Sequence, residues 1–318
     1  MSPRGACHPK MPEKELREEW MDLVESRLGE DLTPKGRPRK DKLAQEFGRK
    51  TEGEVFDRPT MLTLYRLISR NILQTLDYPV STGKEANVFH ATDPKGKSLA
   101  VKIFRVHTAT FHSYLTYIQG DPRFEGLKGD RRNIIHAWVK KEYKNLLRLH
   151  DAGVRVPRPV AWADNVLVMS FVDAAGHPTP APLLKDVVLK DPQASYEQVA
   201  EAMAVAWNDA GLVHGDLSEY NIMVQQGKKA DLLTVIDVGQ AVMQRHPMAR
   251  EFLDRDVRNV ARYFKKVGAE ASPAQLMERV VKGPEAQAAA RAGHPESKFV
   301  VEDPHQRASV DLDEELDQ

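Results

Sequence analysis

Apolar residues recur along this chain with two periods, and the changes between them outline its elements. Residues 13–28 place Leu16, Trp20, Leu23 and Val24 on one helical face. Residues 33–42 are polar and rich in proline, glycine and lysine, and read as a linker. A second helix is expected over 60–76, where Met61, Leu64, Tyr65, Ile68, Ile72 and Leu76 share a face and Pro79 blocks continuation. Residues 78–106 then read as strand, turn, strand, with Asp93, Pro94, Lys95 and Gly96 at the turn. Residues 107–135 are polar and are expected to be mobile.

Helical spacing returns at 138–149, through Val139, Tyr143, Leu146 and Leu147. Buried strands are expected at 166–172 and 232–238, both nearly continuous apolar runs. Between them lies a helix with Val199, Met203 and Trp207 at four-residue spacing, stopped by Gly211. A last helix, 250–267, is closed by Gly268. From about residue 283 glycine, proline, alanine and acids dominate, and an acidic, disordered tail is expected. The reading is an N-terminal polar extension (1–58), a helix with a small strand-rich lobe (59–172), a mainly helical large lobe (173–282) and the tail (283–318). That order is the shape of an α+β, two-lobed kinase-like fold with a cleft between its lobes.

Composition changes this picture little. The formal net charge of the 318 residues is +0, so nothing global points to nucleic acid or membrane. Residues 35–50 are basic, and a solvated face is the first reading, with RNA as the alternative partner. The single cysteine, Cys7, excludes an internal disulfide and a cysteine metal cluster. No run reaches the ~18 apolar residues of a membrane span, and the charged N-terminus lacks a secretory apolar core. A cytoplasmic protein without membrane contact is expected.

The chemistry lies in four segments. His214, Asp216 and Asn221 fit H-x-D-x-x-x-x-N, and Asp237 follows a hydrophobic strand. Phosphoryl transfer needs in-line positioning and charge neutralisation more than covalent help. Asp216 is suited to orient or deprotonate an attacking hydroxyl. Asn221 and Asp237 supply the oxygens that Mg²⁺ prefers, with Mn²⁺ as an alternative ion. His214 reads as a structural residue of the turn, and Asp256 as a helix residue pairing with an arginine or bracing the catalytic loop. Lys102 stands among apolar strand residues, where an ammonium needs an anion. Phosphates of ATP are the expected partner, with Glu142 on the following helix holding the lysine in place. Residues 81–89 (STGKEANVF) bend at Gly83, and Ser81 and Lys84 are candidate phosphate contacts. The segment fits neither a Walker A loop nor G-x-G-x-x-G. Finally, 166–172 leads to a hinge. There Met169 would flank adenine, and the Ser170 carbonyl and Val172 amide would hydrogen-bond its edge.

With these residues assembled, the chain resembles the RIO family of atypical serine/threonine protein kinases, most closely its Rio one branch. The resemblance rests on STGKEANVF, AVKIF, KKEYKNLLRL, AGVRVPRPV, LVHGDLSEYNIM, IDVGQAV and HPMAREFLDRDVRNVARYF, and covers about residues 60–268. It implies an N-terminal helical extension, no activation segment, catalytic Asp216, metal ligands Asn221 and Asp237, and an ATP lysine at Lys102. It also implies ATP hydrolysis through a phosphorylated Asp237, and a role in maturing the small ribosomal subunit. The segment QQGKKADLL between Asn221 and Asp237 is longer than such a turn needs and suggests an extended hairpin. Two other functions stay open: a small-molecule phosphotransferase, and an ATPase switch in assembly.

Overall fold

The computed structural model describes residues 56–106, 117, 131–282 and 310–311. The expected helix at 13–28, the linker, the basic run and nearly all of the acidic tail lie outside these residues. So does most of the polar segment expected to be mobile at 107–135, of which residues 131–135 are instead helical.

The first helix, α1 (Arg58–Ser69), starts from Asp57, whose side chain accepts hydrogen bonds from Thr60 N (2.9 Å) and Thr60 Oγ1 (2.6 Å). It ends seven residues before the expected boundary. Asn71 adopts a left-handed conformation (φ 57°), and the amides of Asn71 and Ile72 turn back onto the carbonyls of Ile68 and Leu67. This paired closure ends a helix despite a continuing apolar rhythm. The buried face is Thr60, Thr63, Leu64 and Leu67, while Tyr65, expected inside, is exposed. Ile72 and Leu76 lie beyond the helix, and Pro79 sits within a strand rather than stopping a helix.

A sheet follows: β1 (Thr75–Thr82), β2 (Ala86–Thr92), β3 (Ser98–Phe104), β4 (Pro159–Ala163) and β5 (Val166–Ser170). Its order is β1-β2-β3-β5-β4, and a two-residue strand, Val310–Asp311, pairs in parallel with β4. β1 is an edge strand whose register shifts on both sides of Pro79. The strands alternate between two cores. Leu99, Val101, Ile103, Val166 and Val168 pack toward α1, and Phe104 and Leu167 toward the opposite face. Both faces being covered explains the continuous apolar run in β5.

The opposite face is covered by α2 (Arg131–Asp151), which buries Trp138, Val139, Tyr143 and Leu146 and begins seven residues earlier than expected. A short hairpin, β6 (Asp173–Ala174) and β7 (His177–Pro180), leads to the larger lobe. There α3 (Pro192–Asn208), α4 (Ala249–Lys266) and α5 (Pro273–Lys282) share one core with α2. The last of these was not expected. Strands β8 (Leu212–Val213) and β11 (Val242–Met243) pair with each other, and β9 (Ile222–Gln226) and β10 (Asp231–Val235) form the extended hairpin. The strand expected at 232–238 therefore ends at Val235, and the chain turns at Asp237. Only residues 244–248 separate β11 from α4, so no activation segment intervenes. The architecture is the expected two-lobed α+β kinase-like fold.

Candidate active site

The candidate catalytic turn, residues 214–221, lies between β8 and β9 and is held from beneath by α4. Asp256, 1% exposed, accepts hydrogen bonds from Gly215 N at 2.8 Å and Leu217 N at 2.9 Å. Burial pushes its carboxyl up to about 6, against His214 and the two amides. Asp256 is thus the brace of the loop. The neighbouring Arg255 donates to the Gly215 carbonyl and to Tyr117 Oη. Gly215 has φ 79° and lies so close to Gln240 that a Cβ would meet its carbonyl at 3.1 Å, which is why the turn needs glycine. His214 Nε2 lies 3.1 Å from the Ile236 carbonyl, a structural contact.

Asn221 links the loop to its aspartate. Its Nδ2 donates to the Asp216 carbonyl at 2.7 Å and lies 3.4 Å from Asp216 Oδ2. The Ile236 amide donates to the Asn221 carbonyl at 3.0 Å, tying the end of β10 to the same loop. Burial raises the Asp216 carboxyl, with His214 and Arg255 opposing and Asp237 adding to the rise.

Asp237 follows in a left-handed conformation (φ 58°, ψ 60°) that reverses the chain after β10. Lys102, on β3, reaches it across the cleft, 2.9 Å from Oδ1. The same ammonium donates to Glu142 Oε1 at 2.7 Å and Oε2 at 3.0 Å. Burial disfavours the Lys102 charge, but Asp237 and Glu142 outweigh it and hold its pKa above the ordinary lysine value. Lys102 in turn lowers the Asp237 carboxyl. Burial pushes the Glu142 carboxyl up, with Lys102 opposing, and the double hydrogen bond from Lys102 marks the two as an ion pair. Lys102 and Glu142, 40 residues apart, meet as the sequence suggested.

These groups open onto a cleft of about 620 Å³ between the lobes, the size of a nucleotide-scale pocket. Ser81, Lys84, Lys102, Glu142, Ser170, Val172, Asn221 and Asp237 all line it, with Met169 on the same wall. Ser81 and Lys84 are exposed at its β1–β2 rim, where the Gly83 amide donates to Ala86 O at 2.9 Å. That amide is taken up within the turn itself. At the hinge, the Val172 carbonyl accepts from Ala181 N at 2.9 Å and Ser170 Oγ accepts from Arg158 N at 2.8 Å. Asp216 is beside the cleft rather than among its lining residues and connects to it through Asn221. Sequence reasoning missed Arg255, Tyr117 and Gln240. The first two meet the catalytic turn across long separations, and Gln240, also in the cleft lining, stands in the reversal after Asp237.

Comparisons with known proteins identify the family. The family profile described as RIO domain matches residues 87–276. The chain is 42% identical to the RIO-type serine/threonine-protein kinase Rio1 of Haloferax volcanii, over 83% of this chain and 90% of that one. It is 44% identical to the Rio1 kinase of Methanocaldococcus jannaschii, over 68% and 72% of the respective chains. Among solved structures, the Rio2 kinase–ADP/Mg²⁺–phosphoaspartate complex from Chaetomium thermophilum shares the fold, with a TM-score of 0.55 at 20% identity over 88% of this chain and 94% of that one. A family profile matched over 87–276 and relatives at 42–44% identity leave one conclusion: the chain belongs to the RIO family of serine/threonine-protein kinases.

Proposed function

We propose that this protein transfers the γ-phosphoryl group of ATP, with Mg²⁺, to serine or threonine hydroxyls of proteins, itself included. The observation that carries this reading is the meeting of Lys102, Glu142, Asp237 and Asn221 around one cleft, with Asp216 alongside. The residues fit the ion and the nucleotide. Among the described residues, Asp237 Oδ2 and Asn221 Oδ1 have no hydrogen-bond partner, and the Asp237 side chain is 56% exposed to the cleft. No cluster of three or more His, Cys, Asp or Glu is arranged for a metal among those residues. With their free oxygens, Asp237 and Asn221 would hold a divalent ion together with the phosphates, the manner typical of Mg²⁺; Mn²⁺ would use the same oxygens. Bound there, the ion neutralises charge on the transferring group.

The chain's own groups divide the remaining work. Lys102 supplies a permanent cation to the phosphates, oriented by Glu142. Asp216, fixed by Asn221 and by the braced turn, orients the acceptor hydroxyl and takes its proton. Ser81 and Lys84 reach phosphate from the rim, and the Ser170 carbonyl and Val172 amide read the adenine edge.

A second reading is ATP hydrolysis in which Asp237 itself receives the phosphoryl group. Its partly exposed side chain favours this, and the matched Rio2 structure is a phosphoaspartate complex. Such an activity would suit an assembly switch acting on a precursor of the small ribosomal subunit. Among the described residues no helix is long and apolar enough to cross a membrane, and the reading includes no membrane partner.

The test follows γ-labelled ATP with Mg²⁺ on the purified protein beside Asp216→Ala, Asp237→Ala and Lys102→Ala. Acid-stable label on protein, lost in all three variants, supports the kinase. Released phosphate with a hydroxylamine-sensitive label lost in Asp237→Ala supports the second reading. No nucleotide binding and no label in any form would overturn both.

A further inference from the structure

The three-residue turn after Asp237, Val238–Gln240, presents its carbonyls to helix α2. Lys141 Nζ donates to Gly239 O at 2.8 Å, and Asn145 Nδ2 donates to Val238 O at 2.9 Å and Ala241 O at 3.1 Å. The two donors are only 2% and 1% exposed, and neither lines the cleft. The approach is close enough that a Cβ on Gly239 would meet Glu142 Oε2 at 2.9 Å and Trp138 Nε1 at 3.0 Å. Trp138, Lys141, Glu142 and Asn145 follow the spacing of one helix face. That face therefore grips the lysine that serves ATP, through Glu142, and the turn that carries the metal aspartate, through Lys141 and Asn145.

Packing alone does not explain this choice. Burying an ammonium and an amide is costly, and apolar residues would fill the same space. What these two donors add is direction: two carbonyls of the turn, Val238 and Gly239, and that of Ala241 just after it are each fixed to a rigid helix. We propose that Lys141 and Asn145 are positioning residues that hold the Asp237 carboxylate in place for the metal ion, by clamping its turn to the helix that also orients Lys102. This rests on the reading of the site as one for Mg²⁺ and ATP. It goes beyond that reading in assigning metal affinity to two residues that touch neither metal nor nucleotide.

The experiment compares wild type with Lys141→Met, Lys141→Arg and Asn145→Ala, each first checked for a cooperative thermal transition. Mn²⁺ affinity in the presence of ADP is read by electron paramagnetic resonance, ADP affinity is read in EDTA, and hydrogen exchange is followed in a peptide spanning 236–242. Losing either clamp should weaken Mn²⁺ binding by about ten- to a hundredfold, as loss of outer partners does at metal sites. Metal-free ADP affinity should stay within about threefold, exchange in the turn should quicken, and Lys141→Arg should recover part of the Mn²⁺ affinity. Folded variants with wild-type Mn²⁺ affinity would overturn the proposal and leave the clamp a purely structural feature. Should Lys141→Met fail to fold, Asn145→Ala decides. A wild type that binds ADP without any metal dependence would overturn the Mg²⁺ reading itself, and this proposal with it.

Discussion

Lys102 Nζ lies 2.9 Å from Asp237 Oδ1, so the cation suited to the phosphates and the carboxylate suited to the metal are joined as an ion pair across the cleft. The pairing uses one of the two Asp237 carboxylate oxygens. Lys102 stands on β3 and Asp237 follows β10, so one ammonium bridges the two lobes, with Glu142 at 2.7 Å on its other side.

Removing that charge should cost stability as well as activity. In Lys102→Met, Glu142 stays buried without its main partner, and the fold should lose about 3 kcal/mol in urea unfolding. The double variant Lys102→Met/Glu142→Leu should regain most of this while turnover stays absent. A double variant as unstable as the single one would mean that the pair contributes nothing through its charges.

Asp216→Asn should separate chemistry from binding. The side chain stands beside the cleft, so kcat should fall about 10²- to 10⁴-fold with the KM for ATP changing by less than about threefold. Steady-state kinetics checks both. Because burial raises this carboxyl, the acid limb of the wild-type kcat profile should lie above the ordinary aspartate range.

Asp256 should give stability a pH signature of its own. Its carboxyl titrates at about 6 in the fold, against about 4 in an unfolded chain. Between these values the folded state holds more protons, so this group makes stability fall as pH rises through the window and level off above it. The span corresponds to about 3 kcal/mol at most. The wild-type stability relative to Asp256→Asn should therefore be more favourable at pH 4.5 than at pH 7. Equal differences at the two pH values would show that the carboxyl is not raised.

The left-handed closure of α1 offers a test remote from the site. Asn71→Ala should cost about 1 kcal/mol, because a Cβ without a compensating polar group disfavours that conformation. Asn71→Gly should be neutral or better. Chemical denaturation of the two variants checks the order, and an alanine variant as stable as the glycine one would contradict it.

Much of the site was legible because its chemistry is spaced locally. His214, Asp216 and Asn221 lie within one short segment, Asp237 follows a hydrophobic strand, and Glu142 could be placed on the inner face of its helix by periodicity alone. Lys102 was legible because an ammonium among apolar residues requires an anion. The end of α1 was not, since Ile72 and Leu76 prolong the apolar rhythm and only the backbone of Asn71 breaks it. Pro79 was read as a stop when it stands in an edge strand that asks little of its missing amide. Arg255, Lys141 and Asn145 left no local signal, for they act on backbone carbonyls 40 to 98 residues away, and carbonyls carry no residue type.

The irregular edge of the sheet has a consequence for the protein in a crowded solution. An exposed strand is a template on which a second chain can extend the ladder, and repeated pairing of that kind leads to aggregates. Among the described residues β1, which runs into the Ser81–Lys84 rim of the cleft, is such an edge. Pro79 removes an amide from it, and the register shifts on either side interrupt the regular run of donors and acceptors. A second strand meeting this edge would find a broken ladder rather than a continuous one.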